Sequence, residues 1–71
     1  MKNRVKEERA RLNLPQQELA ERIGVSRQTV HSIENNRYVP STVLALKIAA
    51  VFGKPVEELF QLEESDYQHR K

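Results

Sequence analysis

The sequence predicts a single all-α domain of five short helices, and three observations lead to that class. Apolar residues recur at steps of three and four, which is the spacing of helices that bury one face. Glycines and prolines divide the chain into short blocks: Pro15, Gly24, Pro40, Gly53 and Pro55. With 71 residues and no cysteine, the chain must be stabilised by packing or by oligomerisation.

Helix 1 is predicted over residues 3–12, and helix 2 runs from Pro15 or Gln16 to Gly24. The residue before a proline avoids helical geometry, so Pro15 separates the two helices. A glycine suits the left-handed end of helix 2. The residues predicted to face inward on these two helices follow the helical spacing: Val5, Arg9, Leu12, Leu19, Ala20 and Ile23.

Helices 3 and 4 are predicted to begin after Ser26 and Ser41, because a serine hydroxyl can accept a backbone N–H at a helix N-terminus. The Asn35–Asn36 pair ends helix 3, since asparagine tolerates a positive φ, and Gly53 ends helix 4. A short helix 5 covers residues 55–60. The inward residues of these three helices are Val30, Ile33, Leu44, Ala45, Ile48, Ala49, Phe52, Val56, Leu59 and Phe60.

The domain is predicted to occupy residues 1–62, with residues 63–71 as a polar tail. Residues 60–62 alternate in polarity, which is also compatible with a brief extended segment. Residues 1–37 carry eight basic and five acidic side chains, whereas residues 38–71 carry four basic and five acidic ones. The first half therefore favours a polyanionic partner.

Several function classes are excluded by simple features of the sequence. No run reaches the roughly 18 apolar residues of a membrane span, and the start carries no hydrophobic signal region, so we expect a cytoplasmic protein without a membrane partner. We expect no enzyme, cofactor or small-molecule ligand, because a catalytic cleft does not fit this length. His31 and His69 lack the companion ligands of a metal site.

The segment around Gly24 predicts a specific arrangement of helices 2 and 3. Ala20 precedes the glycine by four residues and is small enough to let the next helix approach, while Gly24 reverses the chain. This spacing predicts a helix-turn-helix. The outward side of helix 3 follows from a rotation of 100° per residue. This side and the N-terminal end of the helix carry no carboxylate. They present groups that hydrogen-bond to base edges: Arg27, Gln28, Thr29, His31, Ser32 and Asn35.

A family resemblance rests on this same segment. Residues 14–37 read LPQQELAERIGVSRQTVHSIENNR and are followed by Pro40-Ser41 and by ALKIA at residues 45–49. The stretch from about Val5 to Phe60 resembles the phage repressor/Cro, or XRE, family of DNA-binding domains. The resemblance implies a lambda-repressor-like five-helix fold that binds operator DNA as a two-fold dimer.

The resemblance also implies roles for individual residues. The side chains implied to contact bases are Arg27, Gln28, Thr29, His31 and Ser32. Those implied to contact the DNA backbone are Gln16, Gln17, Asn35 and Arg37. Arg9 and Glu34 correspond to a partly buried ion pair between helix 1 and the end of helix 3, and both fall on the inward faces of their helices.

The last part of the sequence predicts a dimer surface, since it carries more bulky apolar residues than one short helix needs: Val51, Val56, Leu59, Phe60 and Leu62.

Together these features predict a transcriptional regulator, and a repressor rather than an activator. We expect it to bind double-stranded DNA at a near-palindromic operator as a homodimer. The alternative is a DNA-binding antitoxin or protein-interaction module of a toxin–antitoxin pair.

Overall fold

The computed structural model describes residues 1–68 and contains five α-helices within that range. The helices are α1 (Val5–Arg11), α2 (Gln16–Ile23), α3 (Arg27–Glu34), α4 (Thr42–Phe52) and α5 (Val56–Leu59). Two short strands, β1 (Lys2–Asn3) and β2 (Phe60–Gln61), and a 3₁₀ turn (Glu64–Tyr67) complete the described chain. The predicted helical class and the number of helices are confirmed.

The predicted ends of helices 2, 3 and 4 are also confirmed, because they depend on local chemistry. The hydroxyl of Ser26 accepts the backbone N–H of Thr29, and that of Ser41 accepts the N–H of Leu44, each at 3.1 Å. Gly24 and Gly53 take left-handed conformations with φ of 76° and 64°. These caps define the starts of α3 and α4 and the ends of α2 and α4.

Buried apolar side chains from all five helices form one core, in which α2 packs against both α3 and α4. Ala45 is only half-buried, although we expected it inside. Leu12 is exposed, contrary to prediction, because α1 ends at Arg11 and Asn13 then turns the chain with a positive φ. Leu14 is the residue that is buried at this turn.

The N-terminal residues do not belong to the first helix. Lys2 pairs with Gln61 and Asn3 with Phe60 in an antiparallel ribbon, and the N–H of Arg4 donates to the carbonyl of Leu59 at 2.9 Å. Helix α1 therefore starts at Val5 rather than at residue 3. The extended segment that we considered possible at the chain end is present at residues 60–61.

The segment predicted as a polar tail begins with an ordered turn. The amino group of Met1 lies 2.9 Å from a carboxylate oxygen of Glu63 and 3.1 Å from one of Asp66. Asp66 also accepts the backbone N–H of Glu63 at 2.7 Å, and this bond holds the pKa of Asp66 below its usual range. None of the helices in residues 1–68 has the length and hydropathy needed to cross a membrane.

We predict that Glu8 makes folding sensitive to acid. Its buried carboxylate accepts a 2.8 Å hydrogen bond from Arg11 Nε and lies 3.6 Å from Lys54 Nζ. The Arg11 bond lowers the pKa of Glu8 in the folded state. Stability from this group is therefore present above its unfolded pKa of about 4.3 and is lost as the pH falls toward the lower folded pKa.

Glu8→Gln should accordingly reduce the change in unfolding free energy between about pH 5 and pH 3, measured by urea denaturation. The matched control is Glu57→Gln, which removes an exposed carboxylate. Equal acid dependence in the Glu8→Gln variant and the parent protein would contradict this role for Glu8.

Candidate nucleic-acid interface

The turn between α2 and α3 holds the two helices in direct contact. The N–H groups of both Gly24 and Val25 donate to the carbonyl of Ala20, which closes the end of α2. The side chain of Ala20 is completely buried, so a larger residue there would separate the helices. Three residues, 24–26, thus connect α2 to α3 in a helix-turn-helix.

Helix α3 is divided into a buried side and an accessible side. Val30 and Ile33 are buried in the core. The accessible side carries one cation and several groups that both donate and accept hydrogen bonds. Of the predicted base-contacting residues, Arg27, Gln28 and His31 are exposed, whereas Thr29 and Ser32 are half-buried.

No acidic side chain interrupts the accessible side of α3. The first turn of the helix contains no acidic residue, and Glu34, its one carboxylate, has a side chain that is only 3% exposed. Because nucleic-acid phosphates repel carboxylates, this inward position of Glu34 keeps the accessible surface compatible with DNA.

The Glu34 carboxylate joins three helices. Arg9 Nε of α1 donates to Glu34 Oε2 at 2.7 Å, and Gln16 Nε2 of α2 donates to Glu34 Oε1 at 3.0 Å. Arg9 Nη1 also donates to the carbonyl of Leu14 at 2.9 Å. The ion pair anticipated from the sequence is therefore present, and Gln16 is an additional partner of Glu34 that was not anticipated.

The residues proposed for the DNA backbone occupy separate positions. Gln16 is half-buried beside Glu34, whereas Gln17 is exposed and donates to Glu21 at 3.2 Å. Asn35 and Arg37 are exposed beyond the end of α3, where Asn35 Nδ2 donates to the carbonyl of His31 at 2.8 Å. Their contacts with phosphate remain predictions.

A side chain from the N-terminal strand holds the end of α3, and the sequence analysis missed it. Asn3 Nδ2 donates to the carbonyl of Ile33 at 2.9 Å and to Asn36 Oδ1 at 3.1 Å. No local pattern reveals this contact, because Asn3 is thirty or more residues away from both partners along the chain.

A shallow depression of about 360 Å³ lies beside the accessible side of α3. The residues that line it come from α3, from the turn before it, from the segment after it and from α4: Val25, Gln28, Thr29, Ser32, Tyr38 and Leu44. Val25 and Tyr38 were not among the predicted site residues, although an aromatic residue just after α3 is a usable signal.

The predicted dimer surface needs correction. Leu59 is fully buried in the core of its own protomer, so it cannot contact a partner. Val51, Val56 and Phe60 are half-buried against that core, and Leu62 is exposed. Leu59 is the buried residue of α5, and its carbonyl accepts the N–H of Arg4, which holds this end of the helix against the start of the chain.

Apolar side chains missed by the sequence analysis are exposed on and before α4. Val39, Val43 and Leu46 are each more than half exposed. A depression of about 270 Å³ is lined by residues from the chain start, from α4 and the segment before it, and from α5 and β2: Met1, Val39, Pro40, Thr42, Ala45, Leu46, Val56 and Phe60. We call Val39, Val43, Leu46, Val56 and Phe60 the apolar surface.

The described residues also offer no group of three or more His, Asp or Glu side chains placed to hold a metal ion. His31 is exposed on α3, and His69 lies outside the described residues.

The tight turn, the carboxylate-free side of α3 and the ion pair at its end together define a helix-turn-helix domain of the DNA-binding class.

Comparison with known proteins agrees with this class. A family model described as helix-turn-helix matches residues 5–59. The chain is 53% identical to the uncharacterized HTH-type transcriptional regulator YgzD of Bacillus subtilis over 66 residues. This stretch covers 93% of this chain and 100% of YgzD. It is 42% identical to an uncharacterized HTH-type transcriptional regulator of Archaeoglobus fulgidus over 71 residues, 100% of both chains.

A phage protein is also similar. The ImmF control region 10 kDa protein of Bacillus phage phi105 is 36% identical over 59 residues, which are 83% of this chain and 66% of the phage protein. The chain therefore belongs to the helix-turn-helix family of the Cro/C1, or XRE, type, a family of DNA-binding transcriptional regulators rather than of enzymes.

We predict that Arg9→Met destabilises the fold by about 3 kcal/mol, because it leaves the buried Glu34 carboxylate without its cation. The matched control is Arg22→Met, which breaks the exposed 2.7 Å pair with Glu18 and should cost less than about 1 kcal/mol. Urea denaturation of both variants measures the difference. Similar losses in the two variants would contradict the special position of Arg9.

Proposed function

We propose that this protein is a sequence-specific repressor that binds a near-palindromic site in double-stranded DNA as a homodimer. Helix α3 lies in the major groove in this arrangement. Its side chains Arg27, Gln28 and Ser32 are the main base contacts, and Thr29 and His31 add to them. Gln16, Gln17, Asn35 and Arg37 contact the sugar-phosphate backbone on either side.

The observation that carries this proposal is the composition of the accessible side of α3. An arginine pairs with guanine through two hydrogen bonds, a glutamine pairs similarly with adenine, and a serine hydroxyl bonds to several base edges. The opposite side of α3 is anchored by Val30 and Ile33 in the core. The reading side chains are thus presented by a rigid helix rather than by a loop.

The apolar surface supports assembly into a dimer. Val39 and Leu46 are more than half exposed and line one depression together with Val56 and Phe60, and Val43 is exposed one turn before Leu46 on α4. Monomeric proteins rarely expose contiguous apolar patches of considerable size. A second copy of this chain, related by a two-fold axis, can cover the same residues on both partners.

A two-fold dimer also explains how so small a domain gains specificity. When two recognition helices are about 34 Å apart, they enter successive major grooves on one side of the duplex. Each half-site then adds its own base contacts, so a near-palindrome is bound more tightly than either half alone. Occupying such a site within a promoter suffices to exclude polymerase, which makes repression the simplest regulatory outcome.

We predict that Arg27→Ala and Gln28→Ala each weaken binding to the preferred duplex by roughly 1–3 kcal/mol and relax base preference at the contacted position. The duplex is first obtained by selection from random DNA, and affinities are then measured by fluorescence anisotropy. The control is Arg4→Ala, an exposed arginine grouped with Lys54 and Glu58 instead of with the α3 residues. Equal losses on preferred and random duplexes would contradict base reading by α3.

We also predict that Leu46→Asp raises the dissociation constant of the dimer at least about tenfold, because a charged side chain would be buried at the apolar surface. Sedimentation equilibrium measures this constant. The matched control is Leu12→Asp, an exposed leucine at the end of α1. A parent protein that stays monomeric, or equal effects of the two substitutions, would contradict this dimer.

A further inference from the structure

The depression beside α3 combines an apolar lining with polar groups at its rim. Val25, Tyr38 and Leu44 supply carbon surface, and Gln28 and Ser32 supply hydrogen-bonding groups. The Thr29 hydroxyl is paired with Ser26 Oγ at 3.0 Å, so this residue adds mainly its carbon atoms to the lining. Such a combination suits a ligand that carries an apolar group next to a hydrogen-bonding group.

Tyr38 is held beside α3 by the turn that follows the helix. Asn36 takes a left-handed conformation with φ of 59°, and its N–H donates to the carbonyl of Ile33 at 3.1 Å. The next N–H, of Arg37, donates to the carbonyl of Ser32 at 2.9 Å. Because the preceding two residues are fixed in this way, Tyr38 is presented to a ligand with little loss of backbone freedom.

Among the four bases, thymine has the major-groove edge that fits this lining. Its edge offers the O4 acceptor and a 5-methyl group, whereas cytosine offers an amino donor and no methyl. The amide N–H of Gln28 and the hydroxyl of Ser32 can donate to O4. The apolar lining can remove the methyl group from water. Guanine and adenine carry no methyl group, so they gain nothing from this lining.

We infer that this depression receives the 5-methyl edge of one thymine in each half-site and that Tyr38 is a residue that determines this specificity. The inference rests on the proposed function, since it assigns a base to a surface that adjoins the proposed base contacts. It adds Val25 and Tyr38 to a reading surface that otherwise consists of α3 alone.

The experiment replaces each thymine of the selected duplex, one at a time, with deoxyuridine, which lacks only the methyl group. We expect one position in each half-site to lose affinity by about fourfold, the effect of leaving one methyl group unburied. In Tyr38→Ala, deoxyuridine and thymine at that position should bind alike, whereas Tyr38→Phe should keep the preference. Tyr67→Ala, which removes an exposed tyrosine of the 3₁₀ turn, is the matched control and should also keep it.

Two results overturn the inference while leaving the proposed function intact. One is that every deoxyuridine duplex binds as well as the parent duplex, which would indicate that the depression contacts sugar carbons or nothing. The other is that the sensitive position stays sensitive in Tyr38→Ala. A selection that returns no preferred duplex overturns the proposed function, and this inference with it.

Discussion

The carboxylate of Glu34 is the point on which the arrangement of the first three helices depends. A buried carboxylate is stable only when charged or polar donors surround it. Here the donors come from Arg9 on α1 and Gln16 on α2, while Glu34 itself ends α3. The end of α3 must therefore lie where these donors converge, and the opposite side of the helix is left facing solvent.

The accessible surface of the domain is divided between two kinds of chemistry. The α3 side presents hydrogen-bonding groups and a cation, which discriminate partners by geometry. The apolar surface around α4 presents carbon, which associates by leaving water and has little directional preference. In the proposed complex these two tasks do not compete, because DNA contacts one surface and a second copy of the chain contacts the other.

The parts of the structure that depend on local chemistry could be predicted from the sequence. Serine caps, left-handed glycines and the helical spacing of apolar residues predicted the bounds of four helices to within about one residue. The inward positions of Arg9 and Glu34 indicated their pairing. The alternation at residues 60–62 indicated an extended segment, but the pairing of β2 with β1 could not be predicted, because it joins residues that are far apart along the chain.

The exposed apolar residues were predicted less well for a related reason. Helical spacing placed Ile48 and Phe52 correctly on the core side of α4, but the helix is apolar on nearly every side. Its spacing therefore gave no sign that Val43 and Leu46, on the other side, form an exposed apolar surface. Leu59 was assigned both to the core and to the dimer surface, because a four-residue helix is too short for its apolar spacing to define a face, and only the core assignment is correct.

In the proposed complex, α3 approaches base edges in the major groove. Nuclear Overhauser effects between the side chains of Arg27, Gln28 and Ser32 and the major-groove protons of a selected duplex detect this approach atom by atom. We expect such effects in each half-site. A specific complex in which the α3 side chains show no contact with base protons, and only other helices approach the DNA, would refute the proposed function.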